Sequence, residues 1–155
     1  MPDTLSRILL TALILLVYFF LLRPIRGEIN QTIFPLVEQS IQESDSQISY
    51  SQSGTVSNRI EWGDISNPKE LYLKIPFGLN FLIGIIGLIL VKAENRYYWI
   101  LAAIQLGGGI VAFASFYFGT VSSANFLIIT DLIMRYLMPL CSLGIVPLAF
   151  IQKRQ

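Results

Sequence analysis

Two ionisable residues, Asp131 and Arg135, lie inside an apolar stretch and are the strongest candidates for chemistry in this sequence. They are four residues apart, so on a helix they share one face and can form an ion pair. Arg135 lies ten residues beyond Asn125, about 15 Å along a helix, which predicts a position near the middle of a membrane. An unpaired charge there costs roughly 2.5 kcal/mol or more. The pair therefore either neutralises itself facing the bundle interior and fixes the helix rotation, or contacts a membrane partner or substrate.

Catalytic chemistry has few other candidates, because the sequence contains no histidine and a single cysteine, Cys141. Nucleophilic triads and most zinc sites depend on histidine. Cys141 lies in an apolar run, where a thiol acts as a small packing residue. A membrane enzyme using Asp131 with Glu61 or Asp64 would lack both a nucleophile and metal-ligand spacing. We expect a protein that is not an enzyme and has no metal and no cofactor.

The composition indicates which elements must position these residues. Hydrophobic residues make up 54% of the 155 residues and charged residues 14%, whereas soluble domains carry roughly 25% charged residues. The apolar residues fall in four blocks, which predicts one all-α membrane domain with four transmembrane helices at 5–22, 75–91, 97–118 and 125–151. The lipid bilayer is therefore an expected partner. The net charge of +1 gives no indication of a nucleic-acid partner.

The polar segment 24–74 is predicted to form a small α+β cap between the first two spans. Ile29, Ile33 and Leu36 recur at helical spacing, which predicts an amphipathic helix next to the membrane. Pro35 either bends that helix or begins a shorter one. Apolar residues alternate on both sides of Gln52-Ser53-Gly54, which predicts a β-hairpin, and the segment 71–75 is a candidate third strand.

Polar and small residues in the spans add further candidates. Under this topology Asn80 and Gln105 reach a depth similar to that of Asp131 and Arg135, so we expect a shared polar cluster. Small residues let helix backbones approach closely in lipid. They pack either within this chain or against a partner's helix, and the candidates are Ala103, Gly107, Gly108, Gly109 and Ala112.

Two prolines are expected to bend the fourth span. Pro139 leaves the carbonyl of Arg135 without its helical donor, which predicts a kink at this point. Pro147 is a candidate for a second bend. Such bends are tolerated in a membrane where neighbouring groups satisfy the backbone again.

The orientation depends on the last two spans, because Lys and Arg are nearly equally divided over the whole chain. The turn 119–124 carries no charge, whereas the opposite ends of these spans carry Lys92, Arg96, Lys153 and Arg154. The positive-inside rule then places both termini in the cytoplasm, in a multi-pass cell (inner) membrane protein with the 24–74 loop outside. Arg23 and Arg26 oppose this orientation unless they snorkel to lipid phosphates.

Two segments resemble small accessory membrane proteins that are found beside exosortases. They are Ile75-Pro76-Phe77-Gly78 at the start of the second span, and Asp131 with Arg135-Tyr136-Leu137-Met138-Pro139 in the fourth. Exosortases are bacterial membrane transpeptidases that process C-terminally anchored surface proteins. The resemblance implies an assisting role in surface-protein sorting or envelope polysaccharide export. The transpeptidases rely on a Cys, Arg and His set, and without His this chain takes over no catalytic residue.

Two functions are weighed against each other. The leading hypothesis is a non-enzymatic accessory subunit that binds a larger membrane protein, an exosortase being the named candidate. The alternative is a small transporter or channel component acting as a homo-oligomer. Four helices with a thin polar lining favour the first.

Overall fold

The computed structural model describes residues 2–43, 48–53, 55–63, 66–123 and 125–152. Its N-terminal part is one continuous helix, made of α1 (Pro2–Val17), a π-helical turn (Tyr18–Leu22) and α2 (Arg23–Glu43). The first span was predicted to end at Leu22, but no helix end occurs there. The amphipathic segment predicted beyond it is the continuation of the same helix, and Pro35 lies inside it.

The C-terminal part contains the other long helices. α3 covers Leu79–Leu90 and α4 covers Asn95–Val121. α5 (Asn125–Leu132), a second π-helical turn (Ile133–Leu137) and α6 (Met138–Gln152) form another continuous helix. The uncharged turn before Asn125 connects α4 and α5 into an antiparallel hairpin.

Each π-helical turn ends two residues before a proline, Pro24 in the first case and Pro139 in the second. A proline ring clashes with the carbonyl four residues earlier and cannot donate to it. These carbonyls belong to Phe20 and Arg135, and both lie inside a π turn. The wider turn accommodates the ring without ending the helix. The sequence indicated this disturbance at Pro139 only, and Pro147 lies inside α6 without such a turn.

Within the described residues, three helices are long and apolar enough to cross a membrane: Thr4–Gln39, Asn95–Val121 and Asn125–Gln152. The second predicted span, 75–91, contains only the 12-residue α3, about 18 Å long against a hydrocarbon core of about 30 Å. Its first four residues are not helical, because Pro76 disfavours a helical conformation before it and Phe77 has a positive φ of 62°. The four-span topology therefore stays a prediction.

The predicted cap contains a three-stranded antiparallel sheet in the order β1-β2-β3, with strands Ile48–Gln52, Ser57–Trp62 and Lys69–Lys74. The predicted hairpin and third strand are thus confirmed, although Gly54 in the hairpin turn lies outside the described residues. Side chains alternate between two faces of the sheet. The inner face is buried and carries Asn58, Ile60, Trp62, Leu71 and Leu73, whereas the outer face carries Arg59, Glu61, Glu70 and Tyr72.

The inner face of the sheet packs against helices on two sides. Ile60, Leu71 and Leu73 share one hydrophobic cluster with Ile41 of α2 and with residues of the α4–α5 hairpin and the second π turn: Ala112, Phe116, Leu127, Ile133 and Met134. A buried amide pair fastens α2 to β2, because Asn30 and Asn58 each donate to the other's side-chain oxygen at 3.2 and 2.7 Å. The sheet is therefore part of the helical core.

α1, α3, α6 and the first part of α4 form a second packed group away from the sheet, here called the helical layer. In it α3 packs against α6, α4 and α1. Its core contains Leu88 of α3, Leu101 of α4 and Ile145 of α6. Arg7 of α1 donates to the carbonyl of Leu90 at 3.2 Å, so the start of α1 is level with the end of α3.

We predict that Asn58→Ala lowers the free energy of unfolding of the sheet by about 1–3 kcal/mol, because Asn30 then stays buried with an unpaired amide. Hydrogen exchange of the β2 and β3 amides, measured by mass spectrometry on the detergent-solubilised protein, should accelerate accordingly. Asn67→Ala removes an exposed amide from the β2–β3 connection and is the matched control. Unchanged exchange in Asn58→Ala would contradict this role of the pair.

Candidate functional site

The two π-helical turns face a common cavity of about 510 Å³. Its walls come from the first π turn, the start of α2, the start of β2 and the end of β3. The start of α3, Gln105 of α4, and the second π turn with the residues after it complete them. Side chains that line it include Tyr18, Phe19, Ile75, Pro76, Leu79, Met134, Met138 and Pro139. π turns within α-helices are frequent at functional sites. This cavity is the main candidate site among the described residues.

Three cations line the cavity, Arg23, Arg26 and Lys74, and its described lining contains no carboxylate. Arg26 is only 6% exposed. Its Nη2 donates to the carbonyl of Ile75 at 2.6 Å and its Nη1 donates to the hydroxyl of Tyr18 at 3.3 Å. Its Nε is buried without a hydrogen-bond partner. Arg23 and Lys74 are exposed at the rim, so the cavity carries positive charge from its interior to its mouth.

Gln105 holds one wall of the cavity in place through a chain of hydrogen bonds. Its Oε1 accepts from the backbone N–H of Phe77 at 2.9 Å, the residue with the left-handed backbone before α3. Its Nε2 donates to Ser142 Oγ at 2.7 Å, and this hydroxyl donates to the carbonyl of Met138 at 2.7 Å. The chain connects the start of α3 with α4 and α6. It also satisfies polar groups that lie inside the bundle.

The structure divides the four predicted polar residues into two places. Asn80 and Gln105 both line the cavity, whereas Asp131 and Arg135 do not. Asp131 and Arg135 form the expected ion pair at 3.1 Å, and Arg135 also donates to the backbone carbonyl of Glu70 in β3 at 3.4 Å. The ion pair therefore lies beside the sheet and not in the middle of the helical layer, because the α4–α5 hairpin extends past that layer. The Arg135 side chain is 48% exposed and that of Asp131 is 23% exposed, so Arg135 does not face the bundle interior.

The five small residues of the third predicted span also separate. Gly108, Gly109 and Ala112 face this chain's own core: a Cβ on Gly108 would lie 2.8 Å from Met138, the Pro76 ring occupies the space beside Gly109, and Ala112 is fully buried. Ala103 and Gly107 face outward. A Cβ on Gly107 would meet nothing within 4 Å, so these two residues form an open small-residue pair.

A broad apolar surface continues from this pair along the hairpin. We call it the hairpin face, defined by the exposed residues Ile110, Val111, Tyr117, Phe118, Val121, Ile128, Ile129 and Leu132. The Ile110 side chain, for example, is 70% exposed. The sequence from Tyr97 to Thr130 contains no charged residue. The hairpin face therefore has no charged group, and the hydroxyl of Tyr117 is its one polar side-chain group.

No cluster of three metal-ligating side chains occurs in the part of the chain that the structure describes. Cys141 is half-buried. Glu61 is engaged in an ion pair with Arg59 at 2.5 Å, and Asp64 lies outside the described residues, as do Lys153 and Arg154.

Sequence reasoning missed the residues that define the cavity and the docking of the sheet. Arg26 was treated as a surface cation, and Asn58 and Ser142 were not singled out. Pro24 was the available signal, since it lies beside a predicted apolar span as Pro139 lies within one.

Comparison of the chain with protein-family models, with curated proteins and with solved structures gave no match.

Removal of the Gln105 side-chain amide should destabilise the bundle. We predict that Gln105→Leu lowers the free energy of unfolding by about 1–3 kcal/mol, because the Phe77 N–H loses its acceptor inside the protein. Ser142→Ala should cost less, and the double variant less than the sum, since both substitutions break the same chain. Thermal unfolding in detergent, followed by circular dichroism, measures all three. Strict additivity would show that the two side chains act separately.

Proposed function

We propose that this protein is a non-enzymatic accessory subunit of a bacterial membrane complex, and that its hairpin face binds a larger membrane protein. The observation that carries the proposal is that the hairpin face and the sheet lie at the same level along the helix axes. Leu71 and Leu73 share a cluster with Ala112, Phe116 and Leu127, so the hairpin and the sheet lie side by side. The outer face of that sheet carries ionic groups.

Two groups of cations support a position for the bilayer. Arg7, Lys92 and Arg96 lie at one end of the helical layer, and Arg23 and Lys74 lie at the other. Arg7 and Arg23 are sixteen residues apart on one continuous helix, about 24 Å, which approaches the thickness of a hydrocarbon core. In the proposed arrangement this layer crosses the cytoplasmic membrane with α3 as a short fourth span, and both termini are cytoplasmic.

The hairpin then stands outside the hydrocarbon core. From Gln105, level with the start of α3, to Val121 is sixteen residues, about 24 Å of helix beyond the helical layer. Lipid tails cannot surround the hairpin face at the height at which Arg59 pairs with Glu61 on the sheet. Contiguous apolar surface in water marks a protein interaction site. An apolar surface on another protein is the occupant that this face fits.

The Asp131–Arg135 pair gives this contact a polar anchor. Arg135 lies between the exposed Leu132 and Tyr136, and half of its side chain is accessible. A partner carboxylate or carbonyl there would gain a charge-assisted hydrogen bond. The resemblance of the 131–139 segment to exosortase-associated proteins makes an exosortase the partner to test first.

The test is photo-crosslinking in native membranes, with a photoreactive amino acid in place of Ile110 or Phe118 and mass spectrometry of the products. We predict one predominant adduct with a single larger membrane protein. Gly107→Leu should reduce its yield about tenfold, because a large side chain beside Ala103 blocks close helix approach. Arg135→Leu should also reduce the yield.

Gly144→Leu is the matched control, since a Cβ on Gly144 also meets nothing within 4 Å but lies on α6, away from the hairpin face. It should leave the adduct unchanged. Adducts with lipid alone, or with a second copy of this chain alone, would refute the accessory-subunit proposal.

A further inference from the structure

The cavity between the π turns gathers positive charge that nothing in the described chain neutralises. Arg23, Arg26 and Lys74 line it, and its described lining contains no carboxylate. Burial of an arginine without a counter-charge is costly, both in protein and at a membrane. A bound anion would offset this cost. This feature is independent of the hairpin face, which lies on other residues.

Arg26 is the buried part of this charge. It is 94% shielded from solvent, as its exposure of 6% indicates. Its two terminal nitrogens donate to neutral oxygens, those of Tyr18 and Ile75, and its Nε donates to no group of the described protein. A guanidinium has five N–H donors in a planar fork, which suits a phosphate or carboxylate group. Each terminal nitrogen makes one hydrogen bond but carries two N–H groups, so Arg26 keeps donor capacity beside the cavity that it lines.

The start of α3 meets the same space. No side chain caps this helix at Gly78, and Arg26 Nη2 lies 3.4 Å from the position of a Cβ on that glycine. Gly78 and Leu79 both line the cavity. The first N–H groups of a helix have no partner within it and favour a phosphate. The guanidinium and this helix terminus thus converge on one volume.

We propose that this cavity binds the phosphate group of an anionic lipid. The cavity lies at the end of the helical layer, where the proposed arrangement places lipid headgroups. The apolar residues at its mouth, Phe19 and Leu79, are 46% and 59% exposed and give acyl chains a surface to lie against. Arg23 and Lys74 at the rim add charge for the headgroup.

The experiment titrates the full chain in detergent with phosphatidylglycerol or phosphatidylcholine and counts bound lipid by native mass spectrometry. We expect phosphatidylglycerol to bind about tenfold more tightly than the zwitterionic lipid, since it alone brings net negative charge. The double variant R23Q/K74Q should reduce this preference to about twofold or less, because two rim cations are lost. Both side chains are exposed, so the fold should persist.

Arg96→Gln is the matched control, because it removes an exposed cation that pairs with Glu94 at the opposite end of the helical layer. It should keep the preference for phosphatidylglycerol. No preference in the wild type, or an equal loss in Arg96→Gln, would overturn the site. Displacement of phosphatidylglycerol by an equal concentration of water-soluble glycerol 3-phosphate would overturn the lipid as the carrier of the phosphate.

Discussion

The packing of the sheet's inner face against the α4–α5 hairpin is the constraint on which the rest of the molecule depends. Ile60, Leu71 and Leu73 are essentially inaccessible to solvent, and their burial holds a charged sheet beside the part of the helical hairpin, residues 97–130, that contains no charged residue. A charged surface and a lipid-facing surface cannot occupy the same depth in a bilayer. In the proposed arrangement the hairpin therefore leaves the hydrocarbon core together with the sheet. Its outward apolar face is then a surface for another protein and not for lipid, which composition alone does not indicate.

The two proline-associated π turns give the molecule its second feature. Each turn widens a helix where Pro24 or Pro139 would otherwise break it, and both contribute to one cavity. Around that cavity the polar groups are connected to the fold: Gln105 holds Phe77, and Arg26 holds Ile75. These few hydrogen bonds thus join the helices at one level, where the helical layer meets the cap.

Periodicity predicted most of the local structure. Alternation around residues 48–62 indicated the hairpin, and spacing of four indicated the Asp131–Arg135 pair, because both patterns act within one element. The depth of a residue in the membrane was harder to predict from the sequence. The position of Arg135 was counted from Asn125 on the assumption that the helix begins at a membrane surface. The sheet that packs against the hairpin could not be anticipated from that count, and the proposed arrangement gives Arg135 a different depth. The orientation of the glycines had the same difficulty, since Gly107 and Gly108 are adjacent in sequence but one faces outward and the other faces Met138. The burial of Arg26 was not predicted, because it depends on a contact with Ile75, which lies 49 residues further along the chain.

The depth of the hairpin tip in the bilayer decides whether the hairpin face meets lipid or is open to a protein partner. Spin labels at Val121 and at Leu148, in nanodiscs and with Cys141 replaced by serine, compare the tip with the helical layer through collisions with oxygen and with a water-soluble nickel complex. We predict that the label at Val121 collides mainly with the nickel complex, whereas the label at Leu148 collides mainly with oxygen. Preference for oxygen at both positions would place the hairpin in lipid and contradict this prediction.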